Sequence, residues 1–200
     1  MVLSAVTVEH GGGYRKFADA FRGIEDAARS SGLRWAILRC ADFFLNAMAW
    51  AQPIRMRGVV QGAYGGATTA SIHEGDVAAA IARALVDPAF DSNSYLLSGP
   101  QMLSQRDKVR MIGEAIGVPV EWKEIPAATV RERMIAQGFP AEIPDRMLGY
   151  LADRVDRPGP SSKDLEKILG HPARSFSDWA SEHRAAFVQD QASAASRAAG

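Results

Sequence analysis

Trp35-Ala36-Ile37-Leu38, running on into Arg39-Cys40-Ala41-Asp42, is the stretch that decides the fold. The apolar run is too short for a helix and apolar on both faces, the pattern of a parallel strand buried between helical layers. Upstream of it the spacing is helical. Phe17, Phe21, Ile24 and Ala28 recur at three and four residues, and Ser31-Gly32 supplies a helix end. Further upstream, Val2, Leu3, Ala5 and Val6 form another short apolar strand, followed by a polar loop and Gly11-Gly12-Gly13. Downstream, Asp42 is placed to cap a helix from Phe43 to about Gln52, which Pro53 ends or kinks. Strand and helix alternate, which calls for a parallel α/β sheet with helices on both faces.

The alternation continues to about residue 125. Val59-Val60 is a short strand within the glycine-rich region Gly58 to Gly66. Thr68 to Ile72 predicts a strand leading into the helix Val77 to Val86, with Asp76 as its N-cap. Tyr95-Leu96-Leu97 is again a buried strand. Ser104 and Asp107 open a helix that Gly117 closes, and Val118 to Ile125 returns as a strand. The predicted strands are thus 2–6, 35–39, 69–72, 94–97 and 120–124, the first four adjacent in one mostly parallel sheet. From Pro126 only helical patterns remain, at about 127–137, 141–154, 162–169 and 175–188, with Arg157-Pro158-Gly159-Pro160 as a break.

Composition narrows the function classes. Of 200 residues, 47% are hydrophobic and 23% charged, enough apolar content for a core and too little charge for disorder. Lys+Arg and Asp+Glu both number 23, so no uniform positive field exists to hold a nucleic acid, and none is expected as a partner. A single cysteine, Cys40, excludes an internal disulfide and any multi-cysteine zinc site. No stretch approaches the roughly 18–20 apolar residues that cross a bilayer, and no basic segment precedes the first strand. A cytoplasmic protein with no membrane partner and no metal is expected.

Five spaced segments together carry a family resemblance. They are Ile24-Glu25 to Ser31-Gly32-Leu33, Ile37 to Asn46, Ser71-Ile72-His73-Glu74-Gly75-Asp76-Val77-Ala78, Tyr95 to Ser104, and Gly170-His171-Pro172-Ala173-Arg174-Ser175-Phe176-Ser177-Asp178-Trp179. In this order and spacing the chain resembles the C-terminal two-thirds of an NmrA-like protein, an atypical branch of the short-chain dehydrogenase/reductase superfamily. The resemblance covers about 1–188. It implies an incomplete Rossmann-like parallel sheet with flanking helices, binding NADP or NAD, and a helical C-terminal subdomain. Domains follow as 1–125 for the partial NAD(P)-binding unit, 126–188 for the helical subdomain and 189–200 for a flexible tail.

The departures from the family pattern matter as much. A Rossmann unit opens with a strand, a glycine turn and a helix whose backbone amides meet the pyrophosphate. Here the opening strand resembles the family's fourth, and the first three strands and the glycine turn, roughly 70–100 residues, have no counterpart. Gly11-Gly12-Gly13 lies between a strand and a helix, but its spacing suits a mobile loop better than a phosphate cradle. The superfamily's reductases use a Tyr-x-x-x-Lys pair, the tyrosine handling the substrate proton. Counting back from Glu25 and Gly32, the matching positions are Phe17 and Phe21, and neither can donate a proton. Tyr14 and Lys16 lie nearby, at a separation that points them to different helix faces.

Carried over residue by residue, the resemblance implies a cofactor cleft bordered by Ser4, at the end of the first strand, and by Cys40, Ala41, Phe43 and Asn46. Ser4 reads equally as a turn residue. Asn46 reads equally as a buried amide satisfying a neighbouring carbonyl. Trp50 and His73 are candidates to line a substrate pocket, and Trp50 with Phe43, Phe44 and Met48 reads equally as core. Arg39 either offers a guanidinium to a phosphate or pairs with a carboxylate. His183, on the stripe Phe176-Trp179-Ala180-Phe187, reads as a packed, satisfied histidine.

No catalytic residue is assigned. Three readings stay open: an NAD(P)-dependent oxidoreductase of unknown substrate, a non-catalytic cofactor-sensing regulatory or binding protein, and a fragment without independent function. The first strand's unpaired edge further predicts self-association of the purified chain.

Overall fold

The computed structural model describes residues 1–9 and 15–188; the glycine triplet 11–13, Tyr14 and the tail 189–200 lie outside the described residues. The chain begins with β1 (Val2–Ala5), a 3-10 helix (Val6–Glu9), α1 (Arg15–Ser30) and β2 (Ala36–Cys40). A second 3-10 helix (Phe44–Trp50) runs into α2 (Ala51–Arg57), followed by β3 (Val59–Gly62), β4 (Thr68–Thr69) and α3 (Glu74–Val86). Then come β5 (Asn93–Leu97), β6 (Leu103–Ser104), α4 (Gln105–Ile116) and β7 (Glu121–Glu124). The remainder is helical: α5 (Ala127–Ala136), α6 (Glu142–Asp156), α7 (Asp164–Leu169), α8 (Phe176–Glu182) and α9 (Arg184–Phe187).

Three strands form the parallel sheet, in the order β1-β2-β5. Val2 pairs with Ile37 and Ala5 with Cys40, and Leu38 and Cys40 pair in turn with Tyr95 and Leu97. Ala36, Ile37 and Leu38 are all buried, which is why the run at 35–38 has no polar face. The β5 edge is covered: Leu96 N donates to Asp164 Oδ2 at 3.2 Å, and Ser162 N donates to Ser98 Oγ at 2.8 Å. β1 forms the opposite edge, with Leu3 and nearby Ile24 exposed.

The predicted strand 69–72 is corrected. Only Thr68–Thr69 is a strand, and it pairs antiparallel with Leu103–Ser104, apart from the main sheet. Ile72 reaches across to Phe43 by one parallel bridge. The reason is the close crossing of two backbones. Gly99 N donates to Ala70 O at 2.9 Å, and a Cβ on Gly99 would stand 1.8 Å from Ser71 O. That contact sets the path of 70–72 more strongly than its apolar side chains do. β3 and β7 make a separate parallel pair.

Two helix starts also differ from expectation. The helix after β2 has no side-chain cap from Asp42, whose carboxylate instead accepts from Ser71 Oγ at 2.5 Å. It begins as a 3-10 helix, and Pro53 does not end it, because Pro53 falls in the first turn of α2, where a missing N–H costs little. At α3 the cap is His73, whose Nδ1 accepts from Gly75 N at 3.0 Å. Asp76 lies within the first turn, where it complements the helix dipole and accepts from Arg174 N at 2.8 Å. The capping box expected at Ser104 and Asp107 is present in full.

Two apolar clusters hold these elements together. One joins Leu38, Ile72, Val77 and Leu97 to Leu165 and Ile168 of α7. The other joins Phe44, Ile54, Val60 and Ile112 to Phe176, Trp179 and Phe187 of α8 and α9. α7, α8 and α9 thereby complete the cores begun by the sheet, while α5 and α6 pack on each other and face the strand ends.

Candidate functional site

β1 and β2 run parallel and in register, so their carboxyl ends open on the same side, where a cleft of about 1160 Å³ lies. This is where open α/β sheets place ligands. One wall is the strand ends: Ser4, Ala5, Val6 and Thr7 from the first, Cys40, Ala41, Asp42 and Phe43 from the second. The small residues among them leave room for a flat ring. The facing wall is helical, from Val130 and Met134 of α5 and Ile143, Met147, Tyr150 and Leu151 of α6. Asn46, Trp50 and Trp122 close one side, with the two indoles edge to face at 6.1 Å. Phe17 and Phe21 of α1 close the other, edge to face at 4.9 Å.

A buried ion network stands behind the first wall. Glu25, fully buried, accepts from Ser4 Oγ at 2.7 Å, from Arg39 at 3.0 and 2.8 Å, and from Arg29 at 2.9 Å. Burial alone would raise this carboxyl, but the bonds from Arg39, Ser4 and Arg29 outweigh it and hold the carboxyl down at about 2. Arg39 also donates to Glu9 at 2.6 Å. It therefore pairs with carboxylates and presents no free guanidinium for a phosphate. Cys40 is the opposite case: burial pushes its thiol up to about 12, so it borders the cleft as an inert thiol.

A second buried network stands behind Asp42. Lys108 of α4 donates to Thr69 Oγ1 at 2.9 Å, to Ser71 Oγ, and to Asp42 Oδ2 at 3.4 Å. Asp42 Oδ1 and Thr7 Oγ1 are buried without a hydrogen-bond partner among the described residues. Two unspent acceptors at the strand ends suit the amide and hydroxyl donors of a nucleotide's nicotinamide end.

The residues singled out from the sequence fall as follows. Ser4, Cys40, Ala41, Phe43, Asn46 and Trp50 all line the cleft. Asn46 is exposed and not the buried amide expected, because the 3-10 helix turns it outward. His73 does not line the cleft. Its ring caps α3, and with Nδ1 accepting, Nε2 carries the proton and donates to Glu182 at 3.1 Å. Phe44 is core, in contact with Phe176 and Trp179. His183 stacks on Trp179 at 4.5 Å, with Nδ1 2.9 Å from Trp179 O, as a packed residue. Among the described residues no cluster of acids, His or Cys is arranged to hold a metal, and no helix is long and apolar enough to cross a membrane.

Sequence reasoning missed Glu25, Lys108 and the helical wall. A charged residue on the inner stripe of an amphipathic helix was the available signal for Glu25 and Lys108. The α5–α6 wall had none, since its pattern says helix without saying what it faces.

Comparison with known proteins places this architecture. No family model matches the chain. It is 31% identical over 172 residues to a (4-alkanoyl-5-oxo-2,5-dihydrofuran-3-yl)methyl phosphate reductase of Streptomyces griseus, covering 84% of this chain and 60% of that protein. It is 29% identical over 171 residues to an NAD(P)H azoreductase of Xenophilus azovorans, covering 82% and 57%. The chain thus spans under two-thirds of the length of the curated relatives it matches. Among solved structures, the NADPH-dependent quinone oxidoreductase QOR2 of Escherichia coli superposes with a TM-score of 0.76 at 23% identity, covering 90% of this chain and 65% of that one. The fold is the Rossmann-like α/β fold of NAD(P)-binding reductases.

Proposed function

We propose that this chain forms the nicotinamide and substrate end of an NAD(P)H-dependent reductase in the NmrA-like branch of the short-chain dehydrogenase/reductase superfamily. The observation that carries the reading is the cleft itself, at the carboxyl ends of β1 and β2 with Ser4 and Cys40 to Phe43 on its rim. The names of the Streptomyces and Xenophilus relatives, both reductases, support it.

The residues present fit the nicotinamide half of the cofactor. Ser4, Ala5, Cys40 and Ala41 leave space for the ring, and Thr7 and Asp42 hold unused acceptors beside it. When bound, the nicotinamide supplies the hydride. The protein's part is to orient the acceptor against that ring and keep water from it with the apolar wall of α5 and α6. Phe17 and Phe21 stand at the positions of the family's proton-handling pair, and Cys40 is held as a thiol, so none of them protonates a substrate. Ring acceptors that stabilise charge themselves, such as quinones or azo dyes, suit this wall better than ketones.

The experiment is NADPH oxidation by the 200-residue chain with a quinone, an azo dye and a simple ketone as acceptors. Oxidation with the quinone or azo dye and none with the ketone is expected. No oxidation with any acceptor, together with measurable NADPH binding, would favour the non-catalytic binding reading instead.

A further inference from the structure

The cleft is cationic in a chain whose charges cancel. The whole sequence has a formal net charge of zero, yet the ionisable side chains lining the cleft include Arg57, Lys108, Arg133 and Arg146 against one acid, Asp42. Lys108 is spent on Asp42 and its two hydroxyl neighbours. The arginines are not. Arg133 donates to the neutral amide oxygen of Gln61 at 2.8 Å, and Arg146 lies over the ring of Phe17 at 4.1 Å. Among the described residues neither makes an ion pair with a carboxylate within 4.0 Å.

Their neighbours show that this is not a general property of the two helices. Arg131 of α5 and Asp145 of α6 pair with each other at 2.6 Å. Asp145 is next to Arg146 in sequence, and Arg131 is two residues from Arg133, but successive helical positions face different directions. The carboxylate of this helix pair is thus used away from the cleft, and the cations left over are on the cleft side. An arginine stacked on an aromatic face keeps its in-plane N–H donors for an anion. Low-dielectric aromatic walls concentrate the resulting positive potential.

Resting on the reading of this cleft as a reduction site, we propose that its substrate is an apolar, ring-bearing molecule that carries an anionic group, a phosphate or a carboxylate. Arg146 and Arg133 hold the anion. Phe43, Trp50 and Trp122 hold the ring.

The test is equilibrium binding to the full chain without any cofactor, so that a failure of the reductase reading does not decide it. Two fluorescent probes share one ring system: anionic 8-anilinonaphthalene-1-sulfonate and neutral N-phenyl-1-naphthylamine. The sulfonate is expected to bind about tenfold more tightly than the amine. Arg146→Gln is expected to remove most of that margin without moving the amine, Arg146→Lys to keep part of it, and Arg133→Gln to add to the loss. Equal binding of the two probes, or a margin that survives the Arg133→Gln, Arg146→Gln double variant, would overturn the proposal. So would an Arg146→Gln loss of NADPH affinity as large as the loss for the sulfonate, because the anion would then belong to the cofactor.

Discussion

Glu25 of α1 and Arg39 of β2 meet in a two-pronged ion pair, with Nε donating to Oε1 at 3.0 Å and Nη2 to Oε2 at 2.8 Å. The pair fixes α1 against the sheet and, through the bond from Ser4 to Glu25, holds the end of β1 that borders the cleft. A buried pair of this kind loses heavily when one partner goes, since the other charge is left unpaired. Glu25→Gln is therefore expected to cost about 3 kcal/mol in urea unfolding at pH 7.

The same pair sets an acid limit. The Glu25 carboxyl falls from its ordinary 4.5 to about 2 in the folded chain, so its contribution is complete above about pH 4.5 and is lost as pH falls toward 2. A shift of this size corresponds to roughly 3 kcal/mol. Wild-type stability should drop steeply between pH 4.5 and 2, and Glu25→Gln should flatten that part of the curve. An unchanged slope would mean that Glu25 is not held as the geometry implies.

Lys108 anchors Asp42, Thr69 and Ser71 beneath the cleft rim. Lys108→Met strands the Asp42 carboxylate and is expected to cost about 3 kcal/mol. Adding Asp42→Asn should recover part of that loss, a coupling that a double-mutant cycle in urea measures directly.

Gly99 meets the backbone of Ser71, not a movable side chain. Gly99→Ala is accordingly expected to destabilise by about 3 kcal/mol or more, read as a fall in melting temperature. Gly66, with nothing within 4 Å of an added Cβ, is the control, and Gly66→Ala should stay close to wild type.

Burial that pushes the Cys40 thiol up to about 12 also shields it. Labelling by a disulfide reagent at pH 8 should run roughly a hundredfold slower in the folded chain than in urea. Equal rates would place Cys40 at an open surface.

The parallel sheet was legible because Ala36-Ile37-Leu38 has no polar face, and that pattern has one common structural solution. The helices after Pro126 were legible from spacing for the same reason. The path of 70–72 was not, because it depends on the backbone of Ser71 lying against Gly99, a contact far apart in sequence. His73 misled as a pocket candidate: a histidine before a helix suits a cap as well as a site, and only the bond from Gly75 N separates the two. At the site, the strand-end residues came from the family resemblance, whereas the helical wall and the unpaired Arg133 and Arg146 emerge only once α5 and α6 are placed. An arginine's lack of a partner cannot be seen in sequence.

The central claim, that the cleft between the strand ends and α5–α6 receives the nicotinamide end of NADPH, is tested most directly by saturation-transfer NMR on the 200-residue chain. Among the described residues the diphosphate has no strand–glycine turn–helix to bind, so affinity in the millimolar range is expected, which this method detects. The account predicts strongest transfer to the nicotinamide ring protons, reduced by Met147→Trp, which fills the cleft from its exposed helical side. Transfer that favours the adenine protons, ignores Met147→Trp, or is missing at millimolar NADPH would contradict it.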